Sequence, residues 1–329
     1  MVSEPRAPQI QVLLSGSALS GVIAADIYAN NHLAADRFRV RVAASVAPLD
    51  ELQQPGSRVG ISIGLGGGWT SLVMGTIDSI VLDPVQGVLD FEGRDLSSMM
   101  IESRVDETFA NRTSSEIAQT IAGRHGLGAS VEQTSTPVGR YYQSEHDRLT
   151  LGQFAKATTE WDLLAFLANK EGFDLFMDGD TLRFGPTDES DPVELQKEDC
   201  ISLQLEHSLG LARQIEVTVR SWGTRAGSSV VQTATGGNGG TTWRHGITRP
   251  NLTADDAQRL ADQTLADLAR HEWIATISLP GELTMTPRST VALVGTGTEW
   301  DRTYGVSEVT RHLDVRRGFT QRLALQGVP

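Results

Sequence analysis

The chain has 329 residues, and 28 Lys and Arg against 41 Asp and Glu give it a formal net charge of −13. The length allows two or three domains. The acidic balance argues against a surface that coats nucleic acid or lies on anionic lipid, since both need clustered cations. The single cysteine, Cys200, leaves no internal disulfide framework and no cysteine-rich zinc site. It follows Glu198 and Asp199 at the start of a strand-like run and reads as a buried structural thiol, because reactive thiols need electropositive surroundings. No apolar run reaches the ~20 residues of a membrane span. Residues 1–9 are polar with two prolines and lack a secretory core, which points to a protein made in a cytoplasm.

Residues 10–95 read as strands at Ile10–Leu14, Gly21–Tyr28, Arg37–Ala43, Arg58–Leu65, Ser71–Leu82 and Val88–Glu92, punctuated by Gly, Pro, Asn and Asp. In the third, Phe38, Val40 and Val42 alternate with Arg37, Arg39 and Arg41, so one face is apolar and the other basic. The basic row is either a solvated strand face or a contact for the acidic surface of a neighbouring subunit. The glycine-rich run at 64–68 suggests a phosphate loop. Trp69–Met74 continues extended, however, and no helix N-terminus follows to hold a phosphate, so a hairpin loop is expected.

Gly93-Arg94-Asp95 breaks the extended run. Thr113 and Glu116 form a capping box that starts a helix at Ser114–Arg124, with Ile117, Ala118, Ile121 and Ala122 on one face and Gly126 as its stop. A second helix is expected at Glu160–Lys170. Thr159 is its N-cap, its buried stripe is Trp161, Leu164, Ala165 and Ala168, and Gly172 ends it. Phe173–Met177 and Thr181–Phe184 follow as a hairpin with a type I′-like turn at Asp178-Gly179-Asp180. Asp188-Glu189-Ser190-Asp191 is an acidic loop without the ligand spacing of a cation site.

Strands resume at Ser202–Glu206 and Arg213–Ser221. The run Gly236-Gly237-Asn238-Gly239-Gly240 reads as a flexible loop or a strand tip that orders on contact. Thr253 and Asp256 form a capping box for a helix that ends near His271 and carries Ala257, Leu260, Ala261, Leu265, Leu268 and Ala269 on one side. Trp273–Leu279, Ser289–Val294, Tyr304–Leu313 and Gly318–Leu325 close the chain as strands. The fold class is mainly β with an α/β insert, α+β overall. Residues 1–96 form a first β-domain, 97–198 an inserted α/β domain, and 199–329 a second β-domain with one inserted helix. The two β halves share no detectable sequence similarity.

Signals for catalysis are weak. The histidines at 32, 125, 146, 207, 245, 271 and 312 show no ligand spacing, and no Gly-x-Ser-x-Gly elbow occurs. His125 sits at a helix end, where the dipole favours a charged imidazole. Glu145 with Asp147, and Glu107 with Asp106, are carboxylate pairs of the kind a glycan hydrolase uses, but an acidic chain supplies such neighbours by chance. No catalytic residue, metal ligand or cofactor is expected. Trp222, Trp243 and Trp300 lie near loops or strand ends and are either core aromatics or interface anchors, with Trp243, just after the glycine run, the best single candidate for a partner contact.

Three blocks carry a family resemblance: "GRDLSS" with "TFANRTSSEIAQTIAGRHGL" before Gly128, "TEWDLLAFLANKEGFDLFMDGDTLRFGP" at Thr159–Pro186, and Leu279–Val328. In that order they resemble the late-control-D family of bacteriophage tail baseplate hub proteins. The resemblance implies two tube-like β-barrel domains flanking a small α/β domain, in a homotrimer whose six barrels form a ring of pseudo-sixfold symmetry. It implies a structural symmetry adaptor, without enzymatic activity, between the hexameric tail tube protein and a separate trimeric central spike protein. Baseplate wedge or sheath-linked proteins and the tape measure protein are the further partners implied, in the virion tail baseplate and, during assembly, in the host cytoplasm. The rival classes are a tail-associated peptidoglycan hydrolase, with Glu145 or Glu160 as its acid, and a wall-binding module. A secretion-type injection machine or a gene-transfer particle would use the same kind of hub.

Overall fold

The computed structural model describes residues 8–66, 68–104, 109, 111–135, 137–138, 159–187, 191–222, 229–237, 240–250, 252–316 and 318–328. Strands account for 51% of the described residues and helices for 19%, so the expected mainly β class is met. The N-terminal half runs β1 (Gln9–Leu14), β2 (Ser17–Ala18), β3 (Val22–Asn30), β4 (Arg37–Ala43), a one-turn helix α1 (Leu49–Leu52), β5 (Arg58–Gly64), β6 (Trp69–Asp83) and β7 (Val88–Asp95). Alternation decides which face is buried: Phe38, Val40 and Val42 are fully buried while the arginines between them are exposed. β5 and β6 form the expected hairpin, with Gly64 opposite Trp69 at its end. At Gly75 and Thr76, β6 pairs with β5 on one edge and β7 on the other. Here two glycines are obligatory. A Cβ on Gly93 would lie 1.9 Å from the Thr76 carbonyl oxygen, and one on Gly75 would lie 1.9 Å from that of Arg94.

The first insert contains α2 (Ser97–Glu102), β8 (Arg112–Thr113), α3 (Ser114–Arg124), β9 (Gly128–Val131), β10 (Pro137–Val138), α4 (Glu160–Glu171), β11 (Asp174–Asp178) and β12 (Thr181–Gly185). Both capping boxes form, at Thr113 with Glu116 and at Thr159 with Asp162. The Leu127 N–H reaches the Ala122 carbonyl and the Gly126 N–H that of Gly123, with Gly126 at φ 66°, which is a Schellman stop for α3. Between β11 and β12 only Gly179 has positive φ, so the turn follows the type II′ pattern and not the expected type I′. Helices α2, α3 and α4 share one core with the β9-β12-β11 sheet through Met100, Ile121, Leu164, Leu182 and Phe184.

Next come β13 (Val193–Gln196) and β14 (Ser202–His207), then a second insert of β15 (Gln214–Trp222), β16 (Ser229–Gly236), β17 (Thr242–Thr248) and α5 (Ala254–Ala269). The expected lone helix therefore rests on its own three-stranded sheet, where Ala257 and Ala261 meet Ile215, Val217 and Val219. The box at its N-terminus is half formed: the Asp256 N–H donates to the Thr253 hydroxyl, and that hydroxyl donates to the Asp256 carboxylate, 2.8 Å away. β16 and β17 lie on opposite edges of β15, and Gly237, just after β16, lies against the start of β15. A Cβ on Gly237 would lie 2.2 Å from the Arg213 carbonyl oxygen, so this passage needs glycine for close approach as well as for its positive φ. The chain ends with β18 (Trp273–Pro280), β19 (Thr290–Val294), β20 (Thr303–Asp314) and β21 (Gly318–Gly327).

The strand order β14-β18-β21-β20-β3-β4-β7-β6-β5-β1-β2 puts both halves in one sheet, with β19 on β20 and β13 parallel to β19. The expected pair of tube-like barrels is thus corrected: no closed barrel forms among the described residues, and β20 joins the halves by pairing with β3 over seven positions. Beneath that sheet two apolar cores stay distinct, one around Phe38, Ile61 and Phe91 and one around Ile277, Tyr304 and Leu323.

Replacing Gly93 by Ala should lower the urea midpoint, at a cost of about 1–3 kcal/mol or more, since backbone must move. Gly123→Ala in α3, where nothing lies within 4 Å of the new methyl, should stabilise by about 0.5–1 kcal/mol. Equal midpoints for the two variants would contradict the strand packing described.

Candidate functional site

One organised surface among the described residues is the solvent face of the sheet where the halves meet. Register places Thr320, His312, Asp26, Arg39, Glu92 and Ser79 in one row across six strands. Charges of opposite sign meet along and beside it. Asp90 accepts from Arg39 at 2.8 Å and from Arg41 at 2.8 and 2.9 Å, and these guanidiniums, Arg41 first, hold its carboxyl below the usual range. Arg94 spans Asp78 at 2.7 Å and Glu102 at 2.5 Å. His312 Nδ1 lies 2.5 Å from Asp26, and His32 lies 3.5 Å from Glu308. Arg37 lies over the Tyr28 ring at 5.5 Å. Tyr28, Arg37, Arg39, Asp78, Glu92 and Arg94 line an open basin of about 340 Å³. The arginine row predicted from alternation is therefore exposed, but Arg39 and Arg41 already hold an acid of their own chain.

A second organised feature lies where the first insert meets both halves. Asp36 and Asp95 face one another across the ends of β4 and β7: the Asp95 N–H donates to the Asp36 carbonyl at 2.9 Å, and the Asp36 N–H to the Asp95 carboxylate at 3.2 Å. Ser97 donates its N–H and hydroxyl to Asp95, and the Asn30 N–H donates to Asp36 at 2.9 Å. Burial, aided by the charge of Asp95, raises Asp36 to about 7; burial raises Asp95 to about 6. Two arginines approach from the C-terminal half. Arg288 stacks on Phe176 of β11 at 3.6 Å and reaches Asp174 at 4.0 Å, while Arg311 donates to the carbonyls of Met285 and Glu282 at 2.5 and 3.4 Å. The insert is pinned again where the Trp161 indole donates to the Leu33 carbonyl at 2.6 Å. Sequence reading missed this knot, since nothing local says that Asp95, in the quoted GRDLSS block, meets Asp36.

The other predicted residues do not converge. Trp222 and Trp243 are 48% and 37% exposed and sit at opposite ends of β15, about 23 Å apart at ~3.3 Å per residue. Trp300 packs edge-on against Trp273 at 5.8 Å and joins the C-terminal core. Cys200 is half-buried, and burial with Asp199 and Glu198 pushes its thiol up. His125 caps α3 and meets the buried Glu160 at 2.5 Å, where Arg124 also bonds, so this carboxylate is occupied. Asp106, Glu107, Glu145, His146 and Asp147 lie outside the described residues.

Asp36 sets a pH dependence. A carboxyl raised in the folded state binds more protons folded than unfolded between its usual 3.8 and about 7, so stability falls as pH rises through that window. Asp36→Asn removes this loss. Relative to the unsubstituted chain it should gain roughly 1–3 kcal/mol between pH 5 and 8, measured by urea unfolding at each pH; parallel curves would contradict the assignment.

A family model described as Alg8 N-terminal domain matches residues 47–314. No curated protein matches the chain. Among solved structures, the tail protein from Neisseria meningitidis MC58 superposes with a TM-score of 0.76 at 17% identity, covering 98% of this chain and 97% of its own. The 43 kDa tail protein of prophage MuSo2 from Shewanella oneidensis gives 0.74 at 16% identity, covering 96% and 97%. The c3393 protein of E. coli, described as a type VI secretion system component similar in structure to the T4 bacteriophage tail proteins gp27 and gp5, gives 0.55 at 11% identity, covering 98% and 79%. The resemblance to phage tail hub proteins read from the sequence is thus met in the fold, and by the family match the chain belongs to the Alg8 N-terminal domain family.

Proposed function

We propose that the chain is a structural hub of a phage-type tail: a homotrimeric symmetry adaptor between a hexameric tail tube and a trimeric central spike. The observation that carries this reading is a repeat in strand order. The order β3-β4-β7-β6 in the N-terminal half recurs as β14-β18-β21-β20 in the C-terminal half. The chain visits both in the same sequence, since β5 precedes β6 as β19 precedes β20. One chain therefore carries two equivalent four-stranded units side by side, and three chains about one axis present six. A cyclic trimer built from doubled units matches sixfold and threefold partners on the same axis.

In this reading the chain divides near residues 96 and 198, and the two inserts hang outside the ring of repeated units. The solved tail proteins of similar fold support the assignment to a tail, and with it to the virion baseplate. The self-neutralised sheet face also supports it: most of its charges are answered within the chain, which suits a wall that other molecules pass without sticking. Contacts with wedge or sheath-linked proteins and with a tape measure protein fall to the inserts and outer loops. The peptidoglycan hydrolase alternative loses Glu160, whose carboxylate is bound by Arg124 and His125.

Native mass by light scattering, followed by electron microscopy of the peak, tests the proposal. The expected particle is a trimer with an axial hole and six lobes. A chain that stays monomeric at high concentration, even with the spike protein added, would overturn it.

A further inference from the structure

The first insert rests on the body of the chain along a seam. At one end the Trp161 indole donates to the Leu33 carbonyl at 2.6 Å, and Leu33 packs against the insert core. Met74 of β6 packs against that same core. At the other end Arg288 stacks on Phe176 of β11 and reaches Asp174. The seam encloses a cavity of about 60 Å³, room enough for water. The body lines it with residues 71–74 of β6 and with Asp36 and Asp95, and the insert lines it with Met177, Asp178 and Gly179.

Asp95 also stands at the hinge. It ends β7, and α2 begins at Ser97. Its carboxylate accepts from the Ser97 N–H at 3.0 Å and hydroxyl at 2.5 Å, and its carbonyl accepts from the Ser98 hydroxyl at 2.7 Å. The two carboxyls thus sit where the chain enters the insert and where the insert rests. Two arginines stand near them, and both are engaged elsewhere. Arg311 of β20 donates to the Met285 and Glu282 carbonyls, and Arg288 is held by Phe176 and Asp174. Beside Arg311, the Glu282 carboxylate is taken by Thr284 and Gln321. From β3 the pair meets the Asn30 N–H, and from α2 the Ser97 donors. From the insert it meets the carboxylates of Asp174 and Asp178, with Arg183 of β12 3.2 Å from Asp178. Arg94 adjoins Asp95 in sequence but lies on the other face of β7, where it holds Asp78 and Glu102.

We propose that protons on the Asp36–Asp95 pair seat the first insert: while the pair is neutral the insert rests on the body, and when the pair ionises the insert lifts from it. The proposal is independent of the trimeric reading above. Ionised in the closed seam, the pair lacks water and faces Asp174 and Asp178. It draws Arg288 towards itself and away from Phe176 and Asp174, the contact that anchors β11. Lifting the insert opens the cavity and hydrates the carboxylates. Exposed hydrogen bonds from Arg259 and Gln263 of α5 to the carbonyls of Lys170 and Asn169, at the C-terminus of α4, keep the lifted insert tethered.

Linkage fixes the direction. Burial, aided by the charge of Asp95, holds Asp36 at about 7 in the seated state against its usual 3.8, and burial holds Asp95 at about 6. The seated state therefore binds more protons than the lifted one. It is favoured at low pH and lost as pH rises through that window. Asp36 alone makes the lifted-to-seated ratio about a hundredfold larger at pH 8 than at pH 5, and Asp95 adds about a further tenfold.

Peroxide oxidation of methionine, followed by mass spectrometry, reads the seam without a titrating probe. Met74 and Met177 line the cavity from its two sides, while Met100 is fully buried in the insert core. Met74 and Met177 should oxidise about a hundredfold faster, or more, at pH 8 than at pH 5, with Met100 keeping one slow rate. In Asp36→Asn the rise should shrink to about tenfold at most, the share left to Asp95. Equal rates at the two pH values in the unsubstituted chain overturn the proposal, and so does a rise as steep in Asp36→Asn. A rise of Met100 in step with the seam residues also overturns it, because the insert then unfolds instead of lifting. The comparison of seam with core within the unsubstituted chain decides even where the variant does not fold.

Discussion

The ladder between β3 and β20 is the constraint on which the rest of the structure depends. It brings Ala24–Asn30 against Glu308–Asp314 and turns two units into one eight-stranded array. Everything local is complete without it, since each half has its own apolar core. Its partners are nearly the whole chain apart, so its loop-closure cost is met only after both units exist. The ladder crosses the solvent face through the His312–Asp26 contact. On the core face it places Arg311 opposite Ile27, where an aliphatic residue is the usual occupant.

That arginine marks a partition. The two cores do not merge beneath the continuous sheet, and a polar layer of Arg311, Arg288, Glu282, Gln321, Asp36 and Asp95 stands near their junction. Burying such groups is unfavourable unless hydrogen bonds satisfy them. Backbone carbonyls take the Arg311 protons, Gln321 and Thr284 serve Glu282, and Ser97 with two N–H groups serves Asp95. The layer also gives the first insert its seat, because Phe176 and Asp174 of β11 dock on Arg288. Well-paired polar groups fix position more tightly than an apolar patch, which tolerates sliding. The knot thus holds three parts of the chain in one arrangement, and the raised carboxyls of Asp36 and Asp95 are the electrostatic consequence.

Much of this was legible in the sequence, and the division between legible and hidden follows from range. Strand β4 matches its alternation from Arg37 to Ala43, and α3 matches its capping box and glycine stop, because period, cap and stop act within a few residues. The box at Thr113 formed as read and the N-cap at Thr159 proved to be a full box with Asp162, while at Thr253 the hydroxyl both accepts from the Asp256 N–H and donates to its carboxylate. Helix α2 went unread since six residues give little periodicity, and β16 because Ser, Thr and Gly dilute its pattern. The glycine run before Trp243 looked like slack chain; its Gly237 lies against the Arg213 carbonyl at the start of β15, a constraint invisible until the neighbouring strand is known. The arginine row was readable as a polar face, but the acid that binds it, Asp90, lies some fifty residues further on. The knot was least legible, since Asp36, Asp95, Arg288 and Arg311 lie far apart in sequence and meet only through the fold.

The two units share order and direction without shared sequence, and the physics explains why that suffices. A four-stranded antiparallel unit asks of each strand only alternation on the core side, which many sequences meet. What distinguishes the units is how their outer edges end. In the C-terminal unit β3 covers the edge of β20, and Leu313 and Ala25 on its core side are 6% and 1% exposed. At the equivalent place in the N-terminal unit no strand covers β6 among the described residues, and Leu82 is 47% exposed. Removing β3 from the internal join would uncover Leu313 in the same way. The exposed apolar edge of β6 therefore has the pattern of the internal join without the strand that covers it there.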